Sequence, residues 1–138
     1  TNLQAAIGLS QLKELDKKIL KKREIFKNYK KNFSDIKIKM NTEKKGEFNS
    51  YWMTNIVFVE KYKVNIKKLM NFLEKRNIQA RPFFPPLSQM KFFKFKKINK
   101  NANFLHKNSI NLPSSLNLGQ NDILYVCNSI KEYLRKIK

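Results

Sequence analysis

Tyr51-Trp52-Met53-Thr54-Asn55-Ile56-Val57-Phe58-Val59 carries the strongest strand signal in the chain. Aromatic and β-branched residues run through it almost unbroken, the composition of a strand near the middle of a sheet. Just before it, residues 41–50 are polar and hold Gly46, which reads as a loop. Earlier still, Ile36, Ile38 and Met40 alternate with Lys37 and Lys39, the period of a half-exposed strand over residues 34–40. On the other side Asn65 can cap a helix reaching to about Arg76, with Ile66, Leu69, Met70, Phe72 and Leu73 on its inner face. Residues 78–81 form a short strand, and Ile110-Asn111-Leu112-Pro113-Ser114-Ser115 reads as an edge strand leading into a turn. A last helix opens at Gly119-Gln120-Asn121-Asp122 and turns Ile123, Val126, Cys127, Ile130, Tyr133 and Leu134 inward. Asp122 near its start and Arg135 and Lys136 near its end complement the helix dipole. Strands and helices alternating around one small antiparallel or mixed sheet predict a two-layer α+β domain.

Residues 2–33 read as one long helix, capped by Thr1 or Asn2. Ala5, Gly8, Leu12, Leu15, Ile19, Phe26, Tyr29 and Phe33 recur at three- and four-residue steps, and Lys22 is the single break in that stripe. Its first two turns, through Gly8 and Leu9, carry no charge, whereas the following turns are thick with lysine. The start therefore expects close burial against another body, and the rest expects one wet face. The division expected is a projecting interdomain or interface helix at 1–33 and a small α+β domain at 34–138.

The length of 138 residues suits one domain with a modest core, and eleven Phe with an apolar share of 41% argue against a disordered tail. No apolar run approaches the roughly 18 residues of a membrane span, and the reading expects neither a membrane segment nor a secretory leader. The lone Cys127 excludes an internal disulfide and falls on an apolar helix face, as expected of a buried thiol in the cytoplasm. The net charge is +20, yet 26 of the 30 basic residues are Lys and only Arg23, Arg76, Arg81 and Arg135 are arginines. Lysine spread along every segment, with abundant Asn and Ile, points to a compositional bias on solvated faces. Specific nucleic-acid readers favour Arg and exposed aromatics in a basic strip. A basic module for nucleic acid or another anion is the competing reading. Residues 88–108 bear on it: Phe92, Phe93 and Phe95 lie among lysines in a segment expected to be irregular. They either pin a loop to the core or form a stacking platform.

Arg81-Pro82-Phe83-Phe84-Pro85-Pro86-Leu87 is where positive charge, stiff backbone and aromatics converge. The proline holds Arg81 extended, and a rigid five-donor guanidinium suits a carboxylate or phosphate. The alternative is a turn whose phenylalanines fill the core. Metal chemistry has no support, since His106 and Cys127 are single and lie on different elements. Three scattered glycines make no phosphate loop, and no carboxylate pair or nucleophile constellation stands out, so no catalytic residue is nominated.

Thr1-Asn2-Leu3-Gln4-Ala5-Ala6-Ile7-Gly8-Leu9-Ser10-Gln11-Leu12 resembles a segment of the DegT/StrS-type, pyridoxal-phosphate-dependent sugar aminotransferases. Tyr51-Trp52, Gln79-Ala80-Arg81-Pro82-Phe83-Phe84, Ile110-Asn111-Leu112-Pro113-Ser114-Ser115 and the closing helix follow in that family's order. The Tyr51-Trp52-Met53-Thr54 and Arg81 motifs look most like the perosamine-synthase branch. The resemblance implies the small C-terminal domain of an aspartate-aminotransferase-like (type I) fold, a small sheet flanked by helices with a long N-terminal interdomain helix. It also implies a large domain upstream that supplies the Schiff-base lysine and most contacts to pyridoxal 5'-phosphate, so that this piece is not catalytic alone. The implied reaction moves an amino group from glutamate to a nucleotide-linked keto-sugar, in a homodimer with shared active sites. By the same resemblance Arg81 binds an anionic group, Phe83, Phe84, Tyr51 and Trp52 wall the sugar side, and Asn2 lies near the cofactor phosphate or the partner subunit. One departure stands out. The family often carries Tyr-Pro-Leu-His where this chain has Pro85-Pro86-Leu87-Ser88, so a hydroxyl and an imidazole are missing.

Overall fold

The computed structural model describes residues 1–59, 62–90, 92–93 and 99–137. Phe95 lies outside the described residues. In chain order the elements are α1 (Asn2–Lys13), α2 (Leu15–Asn32), β1 (Ile38–Met40), β2 (Asn55–Phe58), α3 (Ile66–Glu74), β3 (Arg81–Pro82), α4 (Lys100–Asn108), β4 (Ser109–Asn111) and α5 (Gln120–Lys136). The strands make one sheet in the order β1-β2-β4-β3, and every pairing is antiparallel.

The period of two in β2 sorts its side chains between faces. Ile56 and Phe58 point to the core, and Ile56 pairs with Ile110 of β4. Against that face pack Ile25, Tyr29 and Phe33 of α2, Leu69 and Leu73 of α3, and Ile123, Cys127, Ile130 and Leu134 of α5. Full burial of each aliphatic side chain contributes about 1.5–3 kcal/mol. The helices start where the sequence expects: Asn65 accepts from the Lys68 amide, and Asp122 accepts from the Gly119 amide. Cys127 is buried, which pushes its thiol up to about 12.

Four expectations need correction. The long N-terminal helix is two helices, because Glu14 leaves helical backbone (φ −102°, ψ 4°) without proline or glycine. The second contributes Ile25, Phe26 and Tyr29 to the core, whereas α1 buries nothing and leaves Leu3, Ile7 and Leu12 at 72%, 56% and 63% exposure. The strand begun at Tyr51 pairs only from Asn55, because Tyr51 has φ 48° and residues 51–53 bend away. The motif around Leu112-Pro113 is not an edge: β4 lies between β2 and β3, and Pro113 falls beyond the last paired residue, where its missing N–H costs no ladder bond. Finally, part of the segment expected to be irregular is α4, capped by the Asn99 side chain on the Ala102 amide. None of its residues is fully buried, so no apolar stripe announced it. Phe92 stands 94% exposed and pins nothing to the core. No helix among the described residues is long and apolar enough to cross a membrane.

Candidate functional site

Three stretches far apart in sequence meet at the end of the sheet where β2 and β3 begin and β4 ends. Residues 112–115 leave β4, residues 79–81 enter β3, and Trp52 and Met53 precede β2. Together with Lys22 of α2 they line a cleft of about 290 Å³. Two larger hollows, about 460 Å³ beside β1 and 470 Å³ beside α3, hold neither Arg81 nor Trp52.

The floor of the cleft is tied down from several sides. The Leu112 amide donates to Thr54 O at 2.8 Å, and the Thr54 amide donates to Ser114 Oγ at 3.2 Å. Ser114 Oγ in turn donates to Leu112 O at 3.0 Å, so its hydroxyl is spent on structure. Tyr29 reaches up from α2 and donates its hydroxyl to Pro113 O at 3.0 Å. One heptad earlier on the same helix, Lys22 Nζ donates to Ser114 O. Its half-burial lowers the pKa of the amine. Asn111 Nδ2 donates to Pro82 O at 3.3 Å and holds β3 beside β4.

Arg81 is exposed at the head of β3. Arg23 and Arg76 are each tied to a glutamate, but among the described residues no carboxylate pairs with Arg81 or Lys22. None lines the cleft either. Two cations thus face one hollow with no internal counter-charge, an arrangement that a bound anion relieves.

The expected aromatic wall divides. Trp52 and Phe84 are 62% and 55% exposed and stack with ring centres 6.3 Å apart at 25°. Phe83 is half-buried and meets Phe84 edge-on at 6.0 Å. Its carbonyl lies 2.9 Å from His106 Nδ1; since a carbonyl only accepts, that nitrogen carries the proton. Tyr51, expected on the wall beside Trp52, is turned into the core instead. It stacks on Phe26 with centres 3.7 Å apart, and burial raises its pKa. Its own backbone is left-handed, with φ 48°. Asn2, exposed at the start of α1, does not line the cleft.

Sequence reasoning missed Lys22 as a site residue, and Ser115 with it. A signal existed for the first: Lys22 is the one polar residue in the apolar stripe of its helix. An amine there must find a polar partner, and it finds the Ser114 carbonyl. Ser115 stood inside a quoted motif, but nothing separated it from Ser114 before the hydrogen bonds were known.

The model of the DegT/DnrJ/EryC1/StrS aminotransferase family matches residues 1–131. The chain belongs to that family. Of the motifs read above, the fold gathers Trp52, Arg81 and the Leu112-Pro113 step around one cleft, whereas the opening run lies outside it. Among relatives, GDP-perosamine synthase of Vibrio cholerae is 36% identical over 140 residues, covering 99% of this chain and 38% of its own length. GDP-perosamine synthase of Escherichia coli O157:H7 is 37% identical over 135 residues, covering 96% and 36%. This chain therefore spans little more than a third of the relatives it matches. Among solved structures, Helicobacter pylori PseC, an aminotransferase involved in the biosynthesis of pseudoaminic acid, aligns with a TM-score of 0.85 at 24% identity, over 96% of this chain and 37% of its own. The putative sugar aminotransferase Spr1654 of Streptococcus pneumoniae aligns with a TM-score of 0.86 at 19% identity, over all of this chain and 36% of its own. At such identities the likeness establishes the fold, a small α+β domain of family aminotransferases, as the sequence motifs implied.

Proposed function

We propose that this chain is the C-terminal, substrate-facing part of a pyridoxal-phosphate-dependent aminotransferase. The whole enzyme moves an amino group from glutamate to a nucleotide-linked keto-sugar of the perosamine kind, for surface polysaccharide, in the cytoplasm. One observation carries the reading for this chain: Trp52, Arg81 and the Leu112-Pro113 step converge on a cleft where Arg81 and Lys22 have no carboxylate partner among the described residues. Such a cleft suits an anionic substrate and repels none of its charge.

The same residues do not fit the cofactor. Pyridoxal phosphate requires a reactive lysine amine and a partner for its ring nitrogen, and when bound it supplies the electron sink of the reaction. Among the described residues that line the cleft, the one lysine donates to a backbone carbonyl and none is an acid. The cofactor's ring and its lysine are assigned to the part of the enzyme that this chain does not span. Asn2 at the head of α1 remains the proposed contact to the cofactor phosphate or to the second subunit. The bare apolar residues of α1, Leu3, Ile7 and Leu12 among them, fit burial against the large domain and a second copy in a homodimer with shared sites. Within the cleft Arg81 grips the anion and Trp52 forms the wall, with Phe84 stacked on Trp52 and Phe83 against Phe84 outside the lining.

Full-length protein carrying this chain, purified with pyridoxal phosphate, is expected to show the visible absorbance of the bound cofactor and to lose it on addition of glutamate. Arg81→Ala should raise the KM of one substrate about tenfold or more, as loss of a charge-assisted hydrogen bond does. A full-length protein that binds no cofactor and transfers no nitrogen from labelled glutamate would end this reading.

A further inference from the structure

His106, the one histidine of the chain, does not line the cleft, yet it holds the segment that carries the aromatic pair at its mouth. That segment is poorly able to hold itself. β3 ends at Pro82, Pro85 and Pro86 have no N–H to give to a ladder, and the Phe84 ring is too exposed for core packing to fix it. Side chains from neighbouring elements do so instead. Asn111 of β4 donates to Pro82 O at 3.3 Å, and His106 of α4 donates through Nδ1 to Phe83 O at 2.9 Å. About one turn earlier on α4, Asn103 Oδ1 accepts from Gln89 Nε2. The helix is itself anchored, since Asn99 caps it and it lies against β2. Of these ties, the one from His106 falls on the residue next to Phe84. From there the restraint runs outward. The Phe83 ring meets Phe84 edge-on, and Phe84 stacks on Trp52, the aromatic that lines the cleft.

We propose that His106 is a positioning residue for substrate: by holding the Phe83 carbonyl it sets the Phe84 ring against Trp52, and so fixes the aromatic wall of the cleft from outside it. This rests on the aminotransferase reading above and goes beyond it. It gives a part in substrate binding to a side chain that touches no substrate, on a helix outside every motif quoted from the sequence.

The full-length protein, run in reverse from GDP-perosamine and α-ketoglutarate to glutamate, tests the assignment; GDP-perosamine is the probe because both relatives described above are GDP-perosamine synthases. His106→Ala should raise the KM for GDP-perosamine about fivefold to tenfold, as loss of one hydrogen bond does, and leave kcat and the KM for α-ketoglutarate within about twofold. His106→Asn should restore most of the loss, because its Nδ2 stands the same number of bonds from the backbone as histidine Nδ1. His106→Gln, whose nitrogen stands one bond further out, should behave like alanine, and this pair carries the test if the alanine variant folds poorly. With Phe84→Ala already in place, His106→Ala should add less than about twofold. Trp52 is the one tryptophan of the chain. Its emission, taken as the difference from a Trp52→Phe protein, should move to longer wavelength in His106→Ala and stay in place in His106→Asn. The assignment is overturned if His106→Ala keeps the KM within about twofold of wild type, or if its effect multiplies with that of Phe84→Ala. Asn and Gln variants that behave alike overturn it too. A protein that transfers no amino group but shows the Trp52 shift would keep the positioning role of His106 and remove the aminotransferase reading; without the shift, both fall.

Discussion

Lys22 and Arg23 are neighbours on α2, and their fates are opposite. Arg23 is consumed by structure. Its guanidinium donates to both Glu43 oxygens at 2.6 and 3.1 Å and to Asn49 O at 2.6 Å, and it lies 4.6 Å from the centre of the Phe48 ring. Asn49 passes the restraint on by accepting the Tyr51 amide, and Tyr51 stacks on Phe26. One residue earlier, Lys22 has only a carbonyl and shares its hollow with Arg81. In a chain of +20, then, positive charge by itself carries little meaning. What distinguishes a binding cation is the absence of a partner at a place the fold has made concave.

That contrast can be broken by substitutions on either side of it. The largest expected effect is Phe26→Ala, which removes a buried ring from the clamp and should cost about 3–5 kcal/mol in denaturant unfolding. A loss below about 1 kcal/mol would mean that the Phe26–Tyr51 stack is not what anchors this side. Next comes Tyr29→Phe, which deletes the hydroxyl beneath the cleft floor and strands Pro113 O; about 1–2 kcal/mol is expected. Smaller still is the acid limb of stability. The hydrogen bonds from Arg23 and then from the Asn49 amide hold the Glu43 carboxyl down to about 2, from 4.5. A depressed carboxylate stabilises the fold above its ordinary value and loses that contribution as pH falls through the folded one. The urea midpoint should therefore decline between about pH 4.5 and 2, with Asp35 and Glu132, also lowered by their ion pairs, sharing the slope. Glu43→Gln should flatten part of it, and an unchanged slope would remove Glu43 from the account. The smallest effect on stability is expected of Arg81→Ala, within about 0.5 kcal/mol, because the side chain is exposed and the backbone pairing of β3 survives the substitution. Its effect belongs to substrate binding, and a large drop in melting temperature would erase the contrast drawn here.

The comparison also shows why only part of the site was legible in sequence. Arg81, Trp52 and the Leu112-Pro113-Ser114-Ser115 stretch stood out by composition and by resemblance to the family, and the fold brings all of them to one cleft. Tyr51 was placed with Trp52 because the resemblance to the family carries the two as a pair, whereas the structure buries Tyr51 against Phe26 and leaves Trp52 exposed. No residue type at that position announces the left-handed backbone of Tyr51 (φ 48°). Lys22 was visible as a flaw in a stripe, but its use depended on Ser114, 92 residues away.

By itself the sequence determined the α+β class, the inner faces of α3 and α5, the buried thiol and the family. Those features follow from periodicity, capping and motif order, which are local or nearly so. Only the tertiary structure decided that α1 and α2 are separate helices and that β4 is interior. It also showed that Trp52 and Phe84 face solvent while Tyr51 does not, and that Lys22 joins Arg81. Each of these depends on which distant backbone groups pair with which side chains. Hydrogen bonds and charge pairs formed across the fold leave no period in the chain from which they could be read.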